Sequence, residues 1–281
     1  MVKKTRYVKC NLCNSKEYCR IFKVGSSFLV KCRKCNFIYL NPIPTDRELR
    51  KYYARLSTVS IEPIDKSPIE YDRSVERLQL IEKNIKKGKI LDVGSGGSNF
   101  LFIAKSKGWE TFSIEIRKEA KKLLKMHSIK ILYERKIPNG FFNAITLSQV
   151  LEHLSDPSKK LKFYYNNLAS GGIIVIEVPN IESLGARLMK DKWYFIKNPE
   201  HLSYFSKSTL TKILKKFGFE IIRAEYLGGT LVTDFSAGNN LKKQVIFNFY
   251  RLFKLPINLL IRICFRKMGL TDTLRVVARK I

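Results

Sequence analysis

Acidic side chains are scarce in this chain. Only 24 Asp and Glu stand against 53 Lys and Arg in 281 residues, a formal net charge of +29. Such an imbalance predicts attraction to something anionic (nucleic acid, a lipid surface or a phosphorylated substrate) without choosing among them. Long apolar runs are also missing. No segment offers the roughly twenty uninterrupted apolar residues that a membrane-spanning helix needs, and the opening MVKKTRYVKC lacks the apolar core of a secretory signal. A cytoplasmic location is therefore expected. Past residue 35 there is a single cysteine, Cys264, which excludes a disulfide framework spread through the fold. No internal repeat or low-complexity tract interrupts the chain, and its length suits one main core with small additions.

The cysteines that are present form a pattern. Cys10-Asn11-Leu12-Cys13 and Cys32-Arg33-Lys34-Cys35 are two CxxC pairs separated by 18 residues, the spacing of a structural zinc site. Four thiolates around Zn2+ leave no open position, so the predicted metal is structural and not catalytic. Cys19 lies outside the pairs and reads as a spare core thiol. Tyr7, Phe22, Phe28, Phe37 and Tyr39 are available for the small core such a ribbon needs. Asn41-Pro42-Ile43-Pro44 then reads as an extended exit, because proline disfavours helix in the residue before it. Thr45-Asp46-Arg47-Glu48 has the form of a capping box opening a helix to about Arg55. Residues 56–68 show no clear period and read as a connection.

From residue 70 the pattern changes. Tyr71 to Lys86 fits an amphipathic helix. Strand candidates follow at Ile90–Val93, Thr111–Glu115, Ile129–Tyr133, Ala144–Val150 and Ile173–Val178, with helix-length stretches at Asn99–Lys107, Lys118–Met126 and Ser158–Leu168. Phe219–Tyr226 and Thr273–Lys280 supply two further strand candidates. Alternation of this kind predicts an α/β doubly wound, Rossmann-like sheet of parallel strands. At its first strand-to-helix turn stands KILDVGSGGSNF, residues 89–100. Gly94 and Gly96 are followed by Asn99 where a dinucleotide fingerprint wants glycine. Asp92, just before the turn, suits a cation or ammonium better than a pyrophosphate.

Ile90-Leu91-Asp92-Val93-Gly94-Ser95-Gly96 resembles the first motif of class I S-adenosylmethionine-dependent methyltransferases. Glu115 stands where that family places the acid that holds the cofactor's ribose hydroxyls. Phe142 to Pro157, with its Glu152-His153-Leu154 run, resembles the fourth strand of a subgroup of the family. Gly171 to Asn180 resembles its fifth strand, and His201-Leu202-Ser203-Tyr204-Phe205-Ser206 a downstream element. The resemblance is to zinc-bearing methyltransferases of the type associated with sugar and polysaccharide biosynthesis. It implies S-adenosyl-L-methionine and Zn2+ as cofactors. It further implies Asp92, Gly94, Gly96, Glu115, Glu134, Ser148 and Gln149 at the cofactor, with Cys10, Cys13, Cys32 and Cys35 on the metal. Two departures stand out: the last glycine of the turn, Gly97, comes one place early, and Asn143 replaces the usual Asp before the fourth strand.

An activated sulfonium methyl needs mainly an aligned nucleophile, with a base where the acceptor must lose a proton. The resemblance suggests His153 as that base with Glu152 orienting it, and His201 as a second candidate. The structural alternative is that Glu152, His153 and His201 only fix their loops. Trp193, Tyr194 and Phe195 read either as an aromatic floor for the acceptor or as core. His127 reads as solvated.

The expected organisation is a zinc ribbon at 1–44, a linker with helices at 45–88 and a methyltransferase domain at 89–281. The expected acceptor is a small or lipid-linked glycan precursor, methylated on O or C. RNA is the rival acceptor, given the charge and the ribbon. However, Leu147-Ser148-Gln149-Val150 lacks the Asn/Asp-Pro-Pro-aromatic run of base amino methylation, and no cysteine lies near the motifs for pyrimidine C5 chemistry. A noncatalytic binding adaptor is a third alternative, opposed by Asp92, Gly94, Gly96 and Glu115. Within an insertion at about 242–269, Arg251, Lys254, Asn258, Arg262 and Arg266 form a mostly basic stripe on a helix. That pattern suits contact with an anionic membrane surface, although Pro256 would kink the helix.

Overall fold

Five short strands and a helix form the amino-terminal part: β1 (Thr5–Arg6), β2 (Tyr18–Val24), β3 (Ser27–Cys32), β4 (Ile38–Asn41), β5 (Ile43–Pro44) and α1 (Asp46–Leu56). The computed structural model describes residues 4–56, 68–97, 99–197, 199–227, 264 and 266–281. Strands β2, β3 and β4 pair antiparallel in sequence order. The expected exit segment at Asn41–Pro44 is instead tied down, because β5 pairs with β1. Thr45 Oγ1 accepts from the Glu48 amide at 3.4 Å, so the cap before α1 forms where the sequence placed it. Most of the basic segment at 242–269 and the connection at 57–67 lie outside the described residues.

Helix α2 (Pro68–Glu82) leads into β6 (Lys89–Val93), α3 (Phe100–Ser106), β7 (Glu110–Ile114), α4 (Lys118–Met126), β8 (Lys130–Ile131), β9 (Phe142–Ser148), α5 (Pro157–Asn167) and β10 (Leu168–Pro179). Then come α6 (Leu184–Met189), β11 (Ser203–Tyr204), α7 (Lys207–Lys216), β12 (Phe219–Leu227) and β13 (Thr273–Lys280). The seven-stranded sheet runs in the order β12-β13-β10-β9-β6-β7-β8. Its β10, β9, β6, β7 and β8 are parallel, as the alternation predicts. Strand β13 departs from that expectation: it lies antiparallel between β10 and β12. Nothing in the local pattern of TLRVVARK encodes direction, and a strand inserted between two others needs no helical crossover.

Alternating side chains sort to the two faces of this sheet. Ile90, Ala144, Ile173 and Val175 pack with Leu78 and Ile81 of α2, Phe100 and Leu101 of α3 and Leu124 of α4. Leu91, Val93, Leu147, Ile174 and Ile176 pack on the other face with Leu161 of α5 and Leu210 and Leu214 of α7. This second core also takes in Cys10, Cys32, Phe37 and Tyr39, so the ribbon shares the core of the main domain. Tyr7, by contrast, is exposed, and Cys19 sits only half-buried on β2 with its thiol toward the Lys31 carbonyl. No helix among the described residues is long and apolar enough to cross a membrane.

Candidate active site

At the carboxyl end of β6 the chain turns through Gly94 (φ 65°) and Gly96 (φ 57°) into α3. A Cβ on Gly94 would meet Val150 Cγ2 at 2.9 Å, so the turn has no room for a side chain as well as a conformation that disfavours one. Beside it lies a cavity of about 240 Å³ lined by Glu70, Ser74, Arg77, Asp92, Gly94, Ser95, Asn99, Ser148 and Gln149. Four predicted cofactor residues, Asp92, Gly94, Ser148 and Gln149, thus share one wall. Gly96 and Glu115 meet nearby, the Gly96 amide donating to Glu115 at 2.8 Å.

Glu115 also accepts from the amides of Ile116 at 2.7 Å and Arg117 at 2.8 Å. Three of its roughly four acceptor directions are therefore filled, which leaves it one for a ligand hydroxyl. Asp92 is buried, accepts from Thr146 Oγ1 at 2.5 Å, and burial pushes its carboxyl up to about 6 despite the pull of Arg77. Charges of both signs facing one cavity, Asp92 and Glu70 with Arg77, fit the amino-acid end of S-adenosylmethionine, and the side-chain-free turn leaves space for it. Glu134 is placed otherwise: it lies in the turn after β8, ion-paired with Lys160 of α5, and is not among the cavity's lining residues. Asn143 sits at the amino-terminal end of β9, away from the carboxyl ends where the cavity lies; there its Oδ1 accepts from the Lys89 amide at 2.8 Å, so that departure from the family pattern does not touch the cavity.

Sequence reasoning missed Arg77 and the network behind it. Arg77 donates to Glu177 (Nε to Oε1 3.2 Å, an Nη to Oε2 2.8 Å) and to Ser148 at 3.1 Å. Arg275, fully buried on β13, donates to the same Glu177 at 2.6 Å, and Ser148 Oγ donates to it at 2.8 Å. Burial alone would raise Glu177, but the two guanidinium groups outweigh it and hold the carboxyl at about 2. A signal was there to be read. A lone acid inside Ile173-Ile174-Val175-Ile176-Glu177-Val178 and an arginine set within Leu274-Arg275-Val276-Val277-Ala278 each demand a buried partner.

The four ribbon cysteines come together. Cys10 and Cys35 sulfurs lie 3.4 Å apart and those of Cys13 and Cys32 3.5 Å apart, all four within 4.8 Å of one another. Tetrahedral Zn2+ with bonds of about 2.3 Å spaces its sulfurs by roughly 3.8 Å, so the set fits that ion. Each CxxC closes on an asparagine of positive φ, Asn14 and Asn36, whose amides return to the carbonyls of Cys10 and Cys32.

From this thiol set the chain reaches the predicted catalytic residues directly. Asn11 Nδ2 donates to the Ser155 carbonyl at 3.3 Å, and β11, which begins two residues after His201, is the edge strand of the ribbon's sheet beside β4. The Leu202 amide donates to the Glu152 carbonyl at 2.8 Å while the Leu40 amide donates to the Leu202 carbonyl at 2.9 Å. Glu152, His153 and His201 thereby converge, with the imidazole centroids 4.6 Å apart.

The expected pairing of Glu152 with His153 is not what forms. His153 Nδ1 instead contacts the Glu200 carbonyl at 3.0 Å. Glu152 is 1 % exposed, and its carboxylate oxygens have no partner among the described residues beyond a lean toward its own amide; burial pushes it up to about 8. Burial lowers both imidazoles, His201 to about 3 with His153 and Lys197 adding to the effect. Of the three aromatic candidates, Trp193 is buried and donates to Asp272 at 3.1 Å, Tyr194 is exposed, and Phe195 stacks on His201 at 6.0 Å. His127 is exposed and lies against Phe102.

With this geometry in place, the sequence profile of a family described as a methyltransferase domain matches residues 67–224. An uncharacterized protein of Methanocaldococcus jannaschii is 25% identical over 164 residues, covering 57% of this chain and 77% of its own. Among solved structures, a SAM-dependent methyltransferase from Archaeoglobus fulgidus superposes with a TM-score of 0.53 at 20% identity, over 75% of this chain and 94% of that one. The cyclase SpnF superposes at 0.54 with 18% identity, over 85% and 97%. Likeness at this level shows the fold; the SpnF match illustrates that chemistry must be argued from the site.

Proposed function

The chain belongs to the methyltransferase-domain family, and we propose that, as an S-adenosylmethionine-dependent methyltransferase, it methylates O or C of a small or lipid-linked glycan precursor, the type associated with polysaccharide biosynthesis. The observation that carries this choice of acceptor is the position of the ribbon. Its sheet is completed by β11, two residues after His201, so the ribbon borders the largely buried cluster of Glu152, His153 and His201 that this reading assigns to the acceptor. A metal module built into such a border suits a small acceptor better than it suits an arm reaching for a polymer.

When bound, S-adenosylmethionine supplies a methyl group already activated on sulfur. In our proposal Asp92, Glu70 and Arg77 take its amino-acid end, with Ser148 and Gln149 beside them, and Glu115 accepts from the sugar hydroxyl. Cys10, Cys13, Cys32 and Cys35 hold Zn2+ in a ribbon at 1–44, followed by a linker with helices at 45–88 and a catalytic domain at 89–281. Glu152, His153 and His201 form the acceptor site, where buried polar groups orient the nucleophile and take its proton. We assign the base to His153, a reading supported by the Glu200 carbonyl that accepts at its Nδ1.

One observation favours RNA as a second acceptor. A cavity of about 330 Å³ between ribbon and α7 is lined by Lys31, Lys34 and Lys212 among others. Transfer of labelled methyl into a lysate of the encoding organism, separated into RNA, protein, lipid and soluble sugar, tests the choice. Label in lipid or sugar is expected, and label in RNA would overturn it. In purified protein, His153→Ala and Glu152→Gln are expected to lose turnover while retaining cofactor affinity.

A further inference from the structure

A buried carboxylate with both oxygens unpartnered is costly unless something completes it. Glu152 is such a group, and His201, 4 % exposed, presents an equally unpartnered Nδ1 among the described residues. One ligand atom from each of Glu152, His153 and His201 lies within 4.8 Å of the other two. Taking this cluster as the acceptor site proposed above, we propose that Glu152, His153 and His201 bind a divalent first-row transition-metal ion, separate from the ribbon zinc.

Three features carry the assignment. The first is donor chemistry: two imidazoles and one carboxylate make a set that binds borderline divalent cations and leaves positions open for a ligand. The second is the outer support. The His153 imidazole has a ring nitrogen on a backbone carbonyl, Nδ1 on Glu200 at 3.0 Å. A proton at that nitrogen fixes the tautomer and points a lone pair from the other one, the usual arrangement of metal-bound histidine. The third is reach. Tetrahedral bonds of about 2.1 Å space their ligands by roughly 3.4 Å, so atoms within 4.8 Å of one another close onto an ion with side-chain shifts of at most about 0.8 Å each.

An acceptor hydroxyl entering an open position would bind through its oxygen. Its O–H bond breaks, the proton leaves to water, and the electron pair stays on the oxygen held by the cation. The cluster would then ionise the acceptor through the metal, with His153 serving as ligand instead of free base.

The test reads metal and needs no turnover. Full-length protein with its ribbon zinc-loaded is incubated with Zn2+, freed of excess by gel filtration and analysed by mass spectrometry. About two ions per chain are expected in the wild type, and about one in Glu152→Gln and in His201→Ala. Co2+ added to the zinc-loaded protein should give d–d bands without thiolate charge transfer, and these should vanish in Glu152→Gln. One ion per chain in the wild type, or Co2+ bands unchanged by Glu152→Gln, would overturn the proposal and leave a buried water as the partner of Glu152. Since the lysate experiment identifies the acceptor independently, failure of either result leaves the other standing.

Discussion

Glu177→Gln isolates the buried charge network. The carboxylate accepts four hydrogen bonds, two from Arg77 at 3.2 and 2.8 Å, one from Arg275 at 2.6 Å and one from Ser148 at 2.8 Å. Glutamine keeps the shape but removes the charge, and its amide hydrogens face a guanidinium that can only donate. Arg77 would lose its buried acidic partner, while Arg275 would keep only Glu76 and Glu225 at 3.3 and 3.4 Å, a loss of about 3–5 kcal/mol. Proton linkage gives a similar size. Holding the carboxyl at about 2 rather than its ordinary 4.5 corresponds to about 3 kcal/mol at neutral pH. For a chain of this length that predicts a fall in Tm of roughly 5–9 °C, measured by circular dichroism at pH 7. The sign in acid also follows. Because the folded pKa is depressed, this stability is fully present above pH 4.5 and is lost as pH falls toward 2. Wild-type Tm should therefore drop more steeply over that interval than the Tm of the variant. A fall of less than about 2 °C at pH 7, with parallel acid profiles, would refute the reasoning.

Three further outcomes are expected. Arg77→Lys keeps the charge but loses the fork that reaches Glu177 and Ser148 together, and should raise the Kd for S-adenosylmethionine about tenfold by calorimetry. Gly94→Ala forces a side chain into a φ of 65° and against Val150, and should lower the urea-unfolding free energy by about 1–3 kcal/mol. Cys32→Ser removes a fully buried member of the thiol set. Zinc content by mass spectrometry should fall, with turnover following it because β11 hangs on the ribbon's sheet.

Much of the fold was legible because its signals are local. Apolar runs gave β6 to within one residue and β9 to within two at each end, but only the second half of β10, which begins at Leu168, five residues before the expected start; two CxxC pairs gave the thiol cluster. What stayed hidden depends on distant partners. The direction of β13 is set by the neighbours that flank it, and β11 is two residues long, far too short for a periodic signature. The site divided the same way. Asp92, Gly94, Ser148 and Gln149 lie in motifs and line one cavity. Arg77 carries no motif, and its burial is decided by Glu177, a hundred residues away. The contact expected between Glu152 and His153 failed because adjacency in sequence does not bring two side chains together: the turn aims His153 at Glu200.

The pairing of β4 with β11 also bears on how this protein can diverge. Five consecutive residues, His201 to Phe205, are at once a margin of the cysteine-bearing sheet and a margin of the Glu152, His153 and His201 cluster. Neither module can be exchanged for a foreign counterpart without carrying the other's edge along. A chimaera with a borrowed amino-terminal sheet would therefore leave β11, and the His201 beside it, against a partner strand they were not shaped for.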